Sequence, residues 1–149
     1  MLLDQIRAEL RHRFSLLSMA AIEAHGAATD PSSKAEGKYD TRSLEASYLA
    51  TGQARAAEDL AEAIRMFDVL VLPDFGVDDP IDAGALVEIE GDEGPECFLL
   101  VPAAGGLVLE HDGLEVTLLT PSSQLYRNLL GLRVGESPGE STAWISGVS

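Results

Sequence analysis

The feature that most constrains this chain is a change of hydrophobic period partway along it. Leu3, Ile6, Leu10, Phe14, Leu17, Ala21 and Ala24 recur at steps of three and four that average 3.5. That is the spacing of a coiled-coil seam, not of a strand. Gly26 and then Asp30-Pro31-Ser32-Ser33 close the pattern, because proline disfavours helical geometry in the residue before it and Asp and Ser offer turn and capping bonds. A second helical pattern runs from about residue 34 or 37 to residue 69. It puts Leu44, Tyr48, Thr51, Ala54, Ala57, Ala61 and Ile64 on one seam, with Leu60 and Phe67 beside it. Folding the chain at Pro31 sets Leu17 opposite Tyr48, Leu10 opposite Ala54 and Ala57, and Ile6 opposite Leu60. Large side chains then meet small ones, which is what close packing of an antiparallel pair needs. At about 1.5 Å of rise per residue, a ~27-residue helix runs roughly 40 Å, a length suited to a probe.

Beyond the apolar run at residues 69–72, the segment 73–80 is a linker by its Pro, Gly and Asp content, and after it the period becomes two. Residues 85–89 alternate up to Gly91-Asp92-Glu93-Gly94, and 96–101 run to Ala103-Ala104-Gly105-Gly106. Residues 107–110 meet Asp112-Gly113, a short hairpin signal, and 114–119 form a further strand. Thr120-Pro121-Ser122-Ser123 then opens a short helix with Leu125, Leu129 and Leu130 on one face and Gly131 as its C-cap. Residues 141–148, holding Trp144, make the last strand. The expected fold class is therefore α+β: an antiparallel coiled-coil hairpin over 1–72, a linker over 73–80, and a small antiparallel sheet domain with one short helix over 81–149.

Charge narrows the partners. The 149 residues carry a formal net charge of -15, which argues against a general binder of duplex DNA or of an anionic membrane. Residues 1–70 hold 8 Lys and Arg against 11 Asp and Glu, whereas residues 71–149 hold 2 against 14. The C-terminal half is thus the part suited to a basic protein surface. Cys97, the one cysteine, lies in the apolar run 97–101 and reads as a buried core thiol. His12, His25 and His111 are too scattered for a zinc site. An acid at Asp4, where a signal peptide wants bases, and the lack of an apolar run near the ~20 residues of a membrane span predict a cytoplasmic protein.

The residues from Ser33 to Ala50, with Lys34, Glu36, Gly37, Lys38, Tyr39, Asp40, Thr41 and Arg42 at their head, resemble the second-helix start of bacterial Gre-type transcript-cleavage and elongation factors, in particular their GreA/GreB-like relatives. Gly84-Ala85-x-Val87, the stretch Val116-Thr117-Leu118-Leu119-Thr120-Pro121, and Leu129-Leu130-Gly131 with Val134-Gly135-Glu136 resemble the FKBP-like C-terminal domain of the same family. The resemblance implies a factor, not itself an enzyme, that binds RNA polymerase as a monomer and reaches into its secondary channel. It implies no independent DNA binding, no membrane partner and no stably bound cofactor. In that family, acidic residues at the hairpin tip help to hold a second Mg2+ in the polymerase active site, since a hard divalent cation wants carboxylate oxygens.

The candidate tip residues are Asp30, Glu36 and Asp40. The family's acidic pair belongs to a motif of the kind Asp-x-x-Glu-Asn-Ala-Glu-Tyr; placing its Tyr on Tyr39 puts Ser32 and Ala35 where the two acids belong. Channel binding with weak or absent stimulation of RNA cleavage is therefore expected. On their own chemistry, Glu36 also serves as a capping-box partner of Ser33, and Asp40 as a first-turn carboxylate favoured by the helix dipole. The resemblance further implies docking through Thr120, Pro121 and Ser122, and contact of Arg7, Arg11 and Arg55 with the nascent RNA 3′ segment. Solvated helix faces explain the three arginines as well, and that is the commoner reading of such a pattern. Two other classes compete: an interaction module or polymerase inhibitor unrelated to cleavage, its coil serving dimerisation, and an FKBP-like prolyl isomerase. The latter wants an aromatic-lined pocket, toward which residues 81–149 offer Phe98, Tyr126 and Trp144.

Overall fold

The computed structural model describes residues 1–29 and 41–149, with side chains described for residues 1–20, for 52 and from 54 onward. Its contacts divide the chain into two compact units, principally Leu3–Asp68 and Val69–Ser149.

The first unit is two helices, α1 (Leu2–Thr29) and α2 (Thr41–Val69). Both are rich in Ala, Leu, Arg and Glu, the residues that lose least on entering a helix. In α1, Ile6 and Leu10 are buried and Phe14 and Leu17 half-buried, the seam expected from the sequence. In α2, Ala63 and Phe67 are buried, with Ala57, Leu60, Ala61 and Ile64 half-buried. Ala54, expected on that seam, is exposed. The beginning of α1 lies beside the end of α2, because Arg7 Nε donates to the Phe67 carbonyl at 2.8 Å and Arg11 Nη2 meets Asp68 Oδ1 at 2.6 Å.

These bonds correct the expected register, in which Ile6 faced Leu60. Arg7 sits with Phe67, about two helical turns further along α2. A pair whose first helix closes at Thr29 and whose second opens at Thr41 matches each α1 residue to a later α2 residue than a fold at Pro31 would. The bond itself has a local cause. Phe67 lies in the last turn of α2, where carbonyls lack intrahelical partners and the dipole favours a cation. That turn has no basic residue of its own, so the cation comes from α1.

The second unit is a five-stranded sheet with one helix. In chain order the strands are β1 (Leu86–Gly91), β2 (Gly94–Leu100), β3 (Val108–His111), β4 (Leu114–Leu119) and β5 (Trp144–Val148), and α3 (Gln124–Leu129) follows β4. The sheet order is β3-β4-β2-β1-β5. Asp112 (φ 51°) and Gly113 (φ 80°) both adopt left-handed geometry in the β3–β4 turn, the requirement of the tight hairpin that an Asp-Gly pair signals.

A wholly antiparallel sheet was expected, and one pairing corrects it: β2 and β4 run parallel, Cys97 level with Val116 and Leu99 with Leu118. The chain leaves β2, passes over one strand position to the edge as β3, and returns as β4 into the gap. Residues 101–107 make this possible by straddling the end of β4. Val101 N–H donates to the Leu119 carbonyl, Gly106 N–H donates to the Leu118 carbonyl, and Leu118 N–H donates to Leu107.

Register sorts the side chains by face. Val87 pairs with Phe98 and Val148, Ile89 with Ile145, and Leu100 with Leu119. This face, joined by Ile81, Ala85, Tyr126 and Leu129, is one continuous core. The opposite face carries Cys97, Leu99, Val116 and Leu118, which are likewise buried. Ser123 caps α3, its side chain accepting from Tyr126 N–H. The helix buries Tyr126 and Leu129 but leaves Leu130 41% exposed, so Tyr126 takes the core position expected of Leu130. Leu130 lies one residue beyond the last turn, and Gly131 (φ 82°) follows it, its N–H turned onto the Ile81 carbonyl.

Candidate docking loop and helical pair

Of the three groups of residues singled out in the sequence, the tip carboxylates Asp30, Glu36 and Asp40 lie outside the described residues. The helices that flank them in the chain, α1 and α2, run 28 and 29 residues, each about 40 Å long.

The arginines do not form a common patch. Arg7 is engaged with the Phe67 carbonyl and, at 3.3 Å, with Asp4. Arg11 pairs with Asp68. Both thus spend donors on the base of the helical pair. Arg55 is exposed on α2, away from the level of Arg11. Asp68, the partner of Arg11, lies thirteen residues further along α2, a rise of roughly 20 Å.

Thr120, Pro121 and Ser122 are brought together as a compact loop between β4 and α3. Thr120 Oγ1 and Ser122 Oγ share a hydrogen bond of 2.9 Å, and Ser123 N–H donates to the Thr120 carbonyl at 2.9 Å. Thr120 is half-buried, whereas Pro121 and Ser122 face solvent. The loop forms one wall of an open groove, and the segment from Pro102 to Gly106 forms the other. Gly105 is needed there for close approach, since a Cβ at that position would stand 2.9 Å from Thr120 Oγ1.

Sequence reasoning missed one member of this site. Arg127, in the last turn of the six-residue α3, reaches back over the loop: its Nη1 donates to the Pro121 carbonyl at 3.0 Å and to the Ser122 carbonyl at 3.4 Å, and its Nη2 to Gln124 Oε1 at 3.0 Å. A signal was present, because Arg127 and Arg133 are the only cations among residues 71–149.

The remaining chemistry is quiet. Burial, and secondarily the Glu88 carboxylate, pushes the Cys97 thiol above its ordinary pKa, consistent with the core role expected of it. Burial and then Asp82 likewise raise Tyr126. Of the aromatics considered for a prolyl isomerase pocket, Tyr126 is in the core, Phe98 packs partly buried against it, and Trp144 is 47% exposed. Among the described residues no cluster of His, Cys, Asp or Glu is arranged to hold a metal, and no helix is long and apolar enough to cross a membrane.

No protein-family model matches the chain, and no curated protein does. Among solved structures, the chain is similar to the crystal structure of GreA factor homolog 1 (Gfh1) of Thermus thermophilus, with 16% identity over 96% of this chain and 94% of that one and a TM-score of 0.38. At that level of likeness, the functional reading rests on this chain's own residues.

Proposed function

We propose that this chain is a Gre-like accessory factor of bacterial RNA polymerase. On this reading α1 and α2 form a coiled-coil hairpin that enters the secondary channel, and the α+β unit is the FKBP-like domain that docks outside it through the Thr120-Pro121-Ser122 loop. The factor has no active site of its own and holds no cofactor; the Mg2+ concerned belongs to the polymerase. The observation that carries the reading is the helical pair. Two helices of 28 and 29 residues are fastened where α1 begins and α2 ends, and in the sequence they flank the segment bearing Asp30, Glu36 and Asp40. The charge of the second unit agrees with a basic docking surface, which would also speed encounter at low salt.

The tip departs from the family's acidic pair at Ser32 and Ala35, so occupancy of the channel is expected to exceed any effect on cleavage. Halted, backtracked elongation complexes test this when binding and RNA shortening are scored together. Binding with little shortening is expected, and absence of binding contradicts the proposal. A second reading, a module that self-associates through its helices, has one observation in its favour: Leu16 and Met19 of α1 are 54% and 58% exposed. Mass in solution separates the two, since the polymerase reading requires a monomer.

A further inference from the structure

In a unit with fourteen carboxylates, an arginine would ordinarily be expected to pair with one of them. Arg127 instead donates to the main-chain carbonyls of Pro121 and Ser122 and to the amide of Gln124. Pro121 and Ser122 are consecutive residues at the exposed crest of the loop, so holding both carbonyls fixes the orientation of the peptide unit between them. A planar guanidinium presents its donors in a fixed fork, and spanning two acceptors and a side chain at once is a task for which an ammonium is poorly shaped. The other supports lie at the loop's foot: Ser123 N–H on Thr120 O, and Gly105 against Thr120. The crest itself is held by Arg127 and by the Thr120–Ser122 hydroxyl bond.

We infer that Arg127 is the positioning residue of the docking loop, presenting Pro121 and Ser122 to the polymerase in one preset conformation without contacting the partner itself. This rests on the docking role proposed above. A loop already ordered before association loses less conformational entropy on binding, so removing the clamp weakens binding even though no contact with the partner is lost.

The test uses the full chain and core RNA polymerase, comparing wild type, Arg127→Ala, Arg127→Lys, and a loop variant with Thr120→Ala, Pro121→Gly and Ser122→Ala, alone and combined with Arg127→Ala. Two or three lost hydrogen bonds predict affinity lower by roughly tenfold in Arg127→Ala, an intermediate value for Arg127→Lys, and no further loss when Arg127→Ala is added to the loop variant. Amide exchange at Ser123 should quicken in Arg127→Ala while the melting temperature stays near that of wild type. Unchanged affinity of Arg127→Ala in a wild type that binds overturns the inference and leaves the polymerase reading standing. Additive losses in the combined variant overturn it too, since they mean that Arg127 touches the polymerase directly. If wild type does not bind at all, the polymerase reading fails and takes the docking role with it.

Discussion

At the scale of single residues, the sharpest steric demand in the second unit falls on Gly84, over which Pro73 packs. Gly84 stood out only as part of a family-like string; its reason is steric, because it has φ +89° and a Cβ there would lie 2.6 Å from Pro73 Cδ. No pattern in the sequence says that the linker's first proline passes over that backbone. Cys97 was legible, since a lone cysteine inside an apolar strand has few roles besides packing, and it is buried. Its raised pKa has a consequence for stability. The folded state prefers the neutral thiol, so the contribution is full below the unfolded thiol's ordinary pKa of about 8.5 and is lost as pH rises from there toward the raised folded value. Denaturant midpoints are expected to fall with pH across that window in wild type and to fall less steeply in Cys97→Ala. Equal slopes in the two proteins would show that the thiol stays protonated in both states or ionises alike in both.

At the scale of elements, period and punctuation located the strands and the short helix of the second unit to within a few residues but not which strands are neighbours. The Asp112-Gly113 turn was readable because its chemistry is local. The parallel pairing of β2 with β4 was not, because nothing in residues 101–107 states that they pass over a strand position, and pairing of consecutive strands is the ordinary outcome. The register of α1 on α2 failed for a similar reason. Each expected seam repeats every three or four residues, so sliding one along the other by two turns still sets apolar side chains against apolar ones, and the spacing alone did not decide the register. The bonds that mark the true register also rank its energetics. Arg11 and Asp68 are both substantially exposed, so Arg11→Ala should cost no more than about 1 kcal/mol. Phe67 is fully buried, and Phe67→Ala should cost about 3–5 kcal/mol. Thermal unfolding of the two variants, followed by helix signal, checks the order; a larger loss from Arg11→Ala would mean that the ion pair, not the apolar stripe, fastens the helices.

At the scale of the whole molecule, the chain forms two compact units, principally Leu3–Asp68 and Val69–Ser149. Thr120, Pro121 and Ser122 were singled out in the sequence without Arg127, which joins their loop only through the fold. The proposed tip residues Asp30, Glu36 and Asp40 rest on resemblance and lie outside the described residues, and their chemistry is open to a direct gain-of-function test. Replacing Ser32 with Asp and Ala35 with Glu restores the family's acidic spacing ahead of Tyr39. The doubly substituted protein should gain Mg2+-dependent shortening of backtracked RNA without binding polymerase more tightly. A wild type that already cleaves as well would show that Asp30, Glu36 or Asp40 serves the metal as the chain stands.

The central claim is that residues 30–40 reach the polymerase active site, and the single buried cysteine makes that measurable. In a Cys97→Ala background, Ala35→Cys supplies one reactive thiol between α1 and α2, to which an iron chelate can be attached to generate local hydroxyl radicals. On a halted elongation complex, the tethered iron is predicted to cut the nascent RNA within a few nucleotides of its 3′ end, together with the polymerase segments that surround the catalytic Mg2+. Cuts confined to the outer surface of the polymerase, or none in a complex shown to contain the factor, would contradict the account.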